Sequence, residues 1–344
     1  MEKNNETKSK ITNTLKLLTK WEIQLVIIIL ILVIIGSNIS PFFLDVKNQV
    51  RNSKNLIEIA LMALPMTFII ITGNIDLSVA NLLLMSAVVM AKLFENGIPM
   101  GWAFAGALLA GTLGGLLNGI LVGIVRLPAL VATLGTYTLF RGLGFSLLKD
   151  FTVKGFPDWF NFLGQGKFLD TDIPIQVVIF IFFAILFGLL LHRTTLGRYI
   201  YVIGQNEDAC RYSGVPVDGV KILIFTLSGF MSALAGMILA ARYASVDADI
   251  ATGYELTVIT AVVLGGVLTT GGTGTMPGVV LSLILLSEVR LLMNLLNTKG
   301  PIQQIAFGFL LIMAILVPRQ IDRIRSKRRL KSLERKITET ESTI

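Results

Sequence analysis

The sequence predicts an all-α integral membrane protein, and three observations carry that prediction. Of 344 residues, 53% are hydrophobic and only 15% charged, whereas a soluble domain carries about a quarter charged residues. Apolar runs long enough to cross a ~30 Å hydrocarbon core recur from end to end. Between them lie short polar or glycine-rich joints, with most basic residues placed at the two ends and in the loops.

About ten transmembrane helices are expected, at roughly 22–43, 56–73, 77–94, 102–125, 128–148, 174–191, 219–241, 255–270, 276–297 and 302–318. The first, "WEIQLVIIILILVIIGSNISPFFL", has a long apolar part and no small-x-small cleavage site, so it reads as a retained span rather than a signal peptide. The second and third are joined by "ITGNIDLSV" (71–79) with almost no linker. The fourth carries Gly111, Gly115, Gly119 and Gly123 at four-residue spacing, which bares one helix face for close approach of another helix. Asn118 beside that stripe needs a polar partner in the bundle or a wet cavity. The sixth ends near His192, the single histidine, which has no second ligand nearby and reads as interfacial rather than metal-binding. The eighth has only 16 residues, about 24 Å at the helical rise. "VLTTGGTGTMPG" (267–278) joins it to the ninth. Short, Gly- or Pro-interrupted apolar segments in both halves of a membrane chain point to a transport pathway, although turns alone explain either joint.

The chain divides into a basic N-terminus (1–21), a membrane domain (22–318) with a polar loop at 192–221, and a basic tail (319–344). An even number of spans puts both termini on one side. With both termini cytoplasmic, the inside carries 19 Lys and Arg and the outside 9, as the positive-inside rule requires. The tail "RIRSKRRLKSLERK" (323–336) reads as a contact with membrane lipid; RNA is the alternative, but no aromatic-interleaved basic domain supports a nucleic-acid partner. "GNIDLSVANLLLMSAVVMA" and "TGYELTVITAVVLGG" both place an acid–Leu pair ahead of a small-residue apolar run, the pattern of an inverted internal repeat, although chance gives the same likeness.

Within the 192–221 loop, "GQNEDACRYSG" (204–214) reads as a punctuated short helix. Asn206 caps it, Glu207 and Asp208 lie in its first turn, Arg211 comes near its end, and Gly214 supplies a left-handed stop. Ala209 and Tyr212 share a face, and Ser213 completes the last turn. Charge inside the spans is limited to Glu58, Arg141, Glu288 and Arg290. Arg141 with Glu288 is the expected ion pair, with a structural or a gating role.

Other chemistry is missing. No G-x-x-x-x-G-K-[ST] loop occurs, and "GGTGT" lacks the lysine that would hold phosphate charge. There is no HExxH, no cysteine cluster and no Ser-His-Asp set, so an enzyme is not expected. Any ATP is bound by another polypeptide.

Four segments in order, "ITGNIDLSVANLLLMSAVVMA", "NGILVGIVRLPALVATLGTYTLFRGLG", "GRYIYVIGQNEDACRYSGVPVDGVKILIFTLSGFMSALAG" and "GYELTVITAVVLGGVLTTGGTGTMPGVVLS", resemble the ribose-type permease subunits of ABC importers. The resemblance spans about 50–320. It implies a multi-pass protein of the bacterial cytoplasmic membrane, working with a cytoplasmic ABC ATPase that holds ATP and Mg, an extracytoplasmic solute-binding protein, and a second permease subunit, identical or paralogous. The chain itself binds no cofactor on this reading. Asn206 to Gly214, followed by Val215 and Pro216, match the coupling helix that docks on the ATPase. Asn74, Asp76, Asn118, Thr133, Thr136 and Thr260 become candidates for the translocation pathway. Within the family, "LPALVATLGTYTLFRGLGFSLL" followed by "FPDWFNFLGQG" is most similar to the rhamnose and autoinducer-2 branch.

Two other classes stay in view. An ion-gradient-driven transporter uses the same broken spans and needs a midplane carboxylate, for which Glu58 and Glu288 are the candidates. A membrane enzyme needs clustered catalytic groups at the interface, and the longest outer loop, "DFTVKGFPDWFNFLGQGKFLDTD" (150–172), shows no acid–base constellation.

Overall fold

The computed structural model describes residues 21–149, 151–169, 171–314 and 316. The expectations for the basic N-terminus, apart from Trp21, and for the tail at 319–344 lie outside them. Each of the ten apolar segments carries a helix. In chain order the elements are α1 Trp21–Ile39, α2 Val46–Ser53, α3 Ile57–Ile71, α4 Val79–Glu95, α5 Met100–Gly123, α6 Ala129–Leu148, β1 Val153–Lys154, α7 Asp158–Gln165, α8 Ile175–Arg193, α9 Thr195–Gln205, α10 Glu207–Tyr212, α11 Val217–Tyr243, β2 Ser245–Val246, α12 Tyr254–Leu264 and α13 Met276–Leu295. A further helix, α14, covers Gly300–Ala314.

Among the described residues, five helices (α1, α5, α8, α11 and α13) are long and apolar enough to cross a membrane, and a sixth if α2 and α3 count as one bent span. The segment at 255–270 is not one helix. Its helical part, α12, has 11 residues and ends at Leu264, about 16 Å of rise. A turn at Gly265 and Gly266 follows, the latter at φ +88°. Two expected loops are structured. "DVKNQVRNSKN" forms α2, whose Asp45 cap accepts from the Lys47 amide at 2.9 Å, and α2 meets α3 at 53°. Part of 150–172 forms β1 and α7.

The bundle is organised around α3, in which every residue from Ile57 to Ile71 is buried. A helix apolar on all sides belongs in the interior, and α8, α11, α12 and α13 pack around it. The most extensive pairing is α5 with α11, and the glycine stripe makes it. An added Cβ at Gly115 would lie 2.8 Å from the Gly229 Cα, one at Gly119 2.8 Å from the Ile222 Cα, and one at Gly123 3.0 Å from the Asp218 carbonyl oxygen. The two helices therefore run antiparallel with their backbones in contact. At the opposite extreme, α1 and α8 bury few of their residues and carry bulky Ile, Leu and Phe on their exposed faces.

The two ends of the bundle differ. At one end, β1 pairs antiparallel with β2 through Val153↔Val246 and Lys154↔Ser245. There α7 lies on the end of α11, with the Gln165 amide donating to the carbonyls of Ala241 and Arg242, each at 3.2 Å. At the other end lie α9, α10 and both glycine-rich joints.

Candidate functional site

The short helix α10 is held at both its ends and along one face. Asn206 is extended at φ −160°, and its Oδ1 accepts from the Ala209 amide at 2.9 Å. Gly214 stands at φ +78°, and the Val215 amide closes the stop by donating to the Cys210 carbonyl at 3.0 Å. An ion network ties the helix to the start of α11. Arg211 contacts Glu207 at 2.9 Å and Asp218 at 2.6 Å, Lys221 reaches Glu207 at 2.7 Å, and Arg126 stands 3.7 Å from Asp218. Burial works against the Glu207 carboxylate, but the hydrogen bonds and charges of Lys221 and Arg211 outweigh it and hold its pKa below the usual value. The clamp is therefore fully present at neutral pH and is lost only as pH falls through that depressed pKa.

Cys210 points inward and is buried. Asp208, Ala209, Tyr212 and Ser213 face out, and Tyr212 is 93% exposed, its ring uncovered among the described residues. Lys221→Met is expected to loosen α10 without unfolding the bundle. Cys210 is the chain's single cysteine, so its alkylation rate reads the loosening directly; an increase of about threefold to tenfold is expected, corresponding to roughly 1 kcal/mol of local opening. An unchanged rate would mean that the clamp holds nothing in place.

The helix before α10 touches both broken joints. The Gly272 amide in 267–278 donates to the Ile71 carbonyl at the end of α3, at 2.8 Å. Gly204 in α9 packs directly on that bond, and a side chain there would collide with both the Ile71 carbonyl and the Gly272 amide. Gly271, at φ +86°, completes the contact: a Cβ on it would lie 2.7 Å from the Gly204 carbonyl oxygen and 3.0 Å from the Gly73 amide. Backbone meets backbone at this point, with the Gln205 side chain lying on Gly272. The Tyr201 hydroxyl adds a second tie, donating to the Gly274 carbonyl at 2.7 Å. His192 takes part as well, its Nε2 accepting from the Met276 amide at 3.2 Å at the start of α13.

The first joint is held from its other side by a buried polar network. Asp76 is completely buried. Its Oδ1 accepts from the Ser78 amide at 2.9 Å and the Ser78 hydroxyl at 2.7 Å, and its Oδ2 from the Ser228 hydroxyl on α11 at 3.1 Å. Ser78 Oγ in turn accepts from Asn118 Nδ2 at 2.7 Å, and Asn118 Oδ1 accepts from the Thr136 hydroxyl at 2.7 Å. The Thr133 hydroxyl donates to the Ile75 carbonyl at 3.2 Å. The structure thus brings Asp76, Asn118, Thr133 and Thr136 together. Asn74 bonds back to Thr72 instead, and Thr260 bonds to the Leu256 carbonyl within α12, so neither joins the network. Asp76→Ala removes an acceptor shared by three donors and is expected to cost on the order of 2–3 kcal/mol. Thermal unfolding of the detergent-purified protein measures this; an unshifted midpoint would contradict it.

The expected Arg141–Glu288 ion pair does not form. Glu288 on α13 accepts from Gln49 of α2 at 3.0 Å, while Arg141 on α6 faces α4 and the segment after β2. The buried Glu58 pairs instead with Arg242, 3.0 Å apart, and Arg290 donates to the Asn55 carbonyl at 3.0 Å. Pairing by elimination failed because Arg242 belongs to the last turn of α11, which extends beyond its expected limit and reaches the start of α3.

Several contributors were not legible as site residues. Asp218 and Lys221 acquire their roles because the start of α11 folds back against α10. Ser78 and Ser228 look like ordinary small residues, although Ser78, two positions after Asp76, carries the signature of an Asx turn. Gly204 opens the polar stretch that ends at Gly214, and spacing gave no reason to single it out.

An apolar bundle of helices with two interrupted segments meeting beneath a clamped polar helix defines a multi-pass membrane protein of the transporter type. The chain belongs to the family described as branched-chain amino acid transport system / permease component, which matches residues 55–315. It is 35% identical over 297 residues to the ribose import permease protein RbsC of Escherichia coli (strain K12), covering 85% of this chain and 91% of the relative. It is 36% identical over 296 residues to ribose import permease protein RbsC of Bacillus subtilis (strain 168), covering 84% and 90%. The autoinducer 2 import system permease protein LsrD of Yersinia pseudotuberculosis (serotype O:3, strain YPIII) is 32% identical over 303 residues, covering 86% and 90%. No solved structure matches the chain.

Proposed function

We propose that this chain is the membrane subunit of an ATP-binding-cassette importer for a monosaccharide or sugar-like solute in the bacterial cytoplasmic membrane, with ATP hydrolysed by a partner chain. The observation that carries the reading is α10. It is capped, ion-clamped to α11, exposed along Asp208, Ala209 and Tyr212, and continuous with α9, whose Gly204 sits on both joints. A rigid, outward-facing helix tied by backbone contact to the interrupted spans is what a subunit needs if a cytoplasmic motor is to move them. The names of the ribose and autoinducer 2 permeases support the solute class, and both lie within it.

On this reading ten spans place both termini in the cytoplasm with α10, and the α7–β1–β2 end faces outward, toward a solute-binding protein. A second permease subunit, identical or paralogous, completes the pore. The segments beginning at Gly73 and Thr252 are then inverted counterparts of one another. Asp76, Asn118, Thr133 and Thr136 seal and position the first joint, Asn74 and Thr260 remain candidates for solute contact, and ATP and Mg belong to the partner.

The test is a mild-detergent pull-down of the chain from its own membranes, with co-purifying chains identified by mass spectrometry. A parallel sample carries Ala209→Glu and Gly214→Pro. An ATPase subunit is expected with the wild type and not with the variant. Its absence even after crosslinking would sink the coupling reading. Uptake driven by an ion gradient would then be the reading to pursue, starting at Asp76, the buried carboxylate within a broken segment.

A further inference from the structure

The second joint is fastened at both its ends by the start of α1. The Trp21 indole Nε1 donates to the carbonyl of Leu264, the last residue of α12, at 2.8 Å. The hydroxyl of Thr275, the cap of α13, donates to Glu22 Oε1 at 2.8 Å. The Trp21 ring also lies on Gly266, where an added Cβ would collide with it. Residues 265–275 run between these two ties, with Gly271, Gly272 and Gly274 at positive φ, so the stretch bends as only glycine readily allows.

Each tie uses a group that a helix end leaves open. The last carbonyls of a helix have no intrahelical donor, and the indole supplies one to Leu264. A threonine hydroxyl carries one proton. Glu22 accepts it, which leaves the lone pairs of Thr275 Oγ1 for the Gly278 amide, donating at 3.2 Å. A carboxylate acceptor makes the Glu22 tie the stronger kind of hydrogen bond. Both ties lead to one body. α1 buries few of its own residues and packs along α13, so Trp21 fastens the end of α12 to the α1–α13 pair. Backbone contact closes the neck of the loop, since a Cβ on Gly265 would lie 2.6 Å from the Val279 Cα. The other elements act on the far part of the loop: Gly271 and Gly272 meet Gly204 and Ile71, and Tyr201 donates to Gly274. A loop pinned at both ends and pushed in between must flex. A loop free at either end shifts as a whole.

We infer that Trp21 and Glu22 are positioning residues that pin both ends of the second joint, so that movement of α9 flexes the joint instead of displacing it. The inference rests on the proposed coupling of α9 and α10 to an ATPase. The complete importer, with its ATPase and binding protein, is assayed in proteoliposomes for solute taken up per ATP hydrolysed, using radiolabelled D-ribose, L-rhamnose and D-xylose. The variants are Trp21→Phe, which keeps a ring on Gly266 and removes the donor, Glu22→Ala, and the conservative Glu22→Gln. In parallel, alkylation of Val267→Cys, at a buried position of the joint, is followed in a Cys210→Ala background with and without Trp21→Phe or Glu22→Ala.

For the sugar that the wild type carries, uptake per ATP is expected to fall by about tenfold in Trp21→Phe and in Glu22→Ala. It stays within twofold of wild type in Glu22→Gln, whose amide oxygen still accepts from Thr275. Alkylation is expected to rise by about threefold or more in the two loosened variants. A purely structural role would lower the amount of protein, with uptake and hydrolysis falling together and their ratio unmoved. A ratio within twofold of wild type in both loosened variants overturns the inference while the import reading stands, and so does an unchanged alkylation rate. Should Glu22→Ala fail to accumulate, Trp21→Phe decides by itself. A wild-type complex that retains its ATPase and carries none of the three sugars overturns the import reading, and the alkylation rates then decide whether the joint is pinned.

Discussion

Gly115→Leu is expected to abolish accumulation of the folded protein. Gly115 lies where α5 and α11 touch backbone to backbone, and even a single added carbon would sit 2.8 Å from both the Cα and the amide nitrogen of Gly229. Nothing at that point is the far end of a flexible side chain, so the added volume is accommodated only by separating the two helices. Overpacking a well-packed interior costs about 1–3 kcal/mol, and here the strain falls on the most extensive helix pair in the bundle. Separation also draws Ser228, next to Gly229, away from Asp76. The measurement is the monodisperse fraction in detergent size-exclusion chromatography. Gly101→Leu, on the same helix but with nothing near its added carbon, is expected to behave as wild type. Equal profiles for the two variants would refute the seam.

The second large effect is expected from Gly204→Val, on coupling rather than on folding. Valine and glycine differ little in helix propensity, so α9 itself tolerates the change. The new side chain meets the Ile71 carbonyl and the Gly272 amide, the hydrogen-bonded pair that joins the end of α3 to the second joint. Forcing that contact open leaves α10, its cap and its ion clamp untouched, because they lie on the other side of Asn206. The expected result is co-purification of the ATPase within twofold of wild type, with solute uptake reduced by about tenfold or more. That loss corresponds to about 1.4 kcal/mol or more. Unimpaired uptake would show that no movement passes through this junction. Gly219→Val, where an added carbon meets nothing, is the control.

The helices were legible because a 20-residue apolar run has few ways to satisfy its backbone in lipid other than by forming a helix. The limits of α10 were legible because caps are local chemistry: Asn206 and Gly214 act on amides and carbonyls within a few residues of themselves. The importance of Asp76 and Asn118 was legible because a polar group among apolar neighbours must find a partner. Which partner it finds was not. Arg141 and Glu288 were paired from their scarcity, yet they lie on different sides of the bundle, and Glu58 reaches Arg242 instead. A charge on a helix constrains only the need for compensation; the neighbour that supplies it depends on how helices rotate and cross.

Composition, apolar run length and local capping therefore determined the class of the protein, its helical segments and the bounds of the polar helix, since each is set by interactions within a few residues or with the surrounding lipid. Tertiary structure alone decided that the two joints meet each other at Ile71 and Gly272, that Gly204 lies on their contact, and that Asp76 bonds to Ser228, 152 positions away. Those contacts join segments far apart in the chain, at spacings set by helix packing, and no local pattern encodes them.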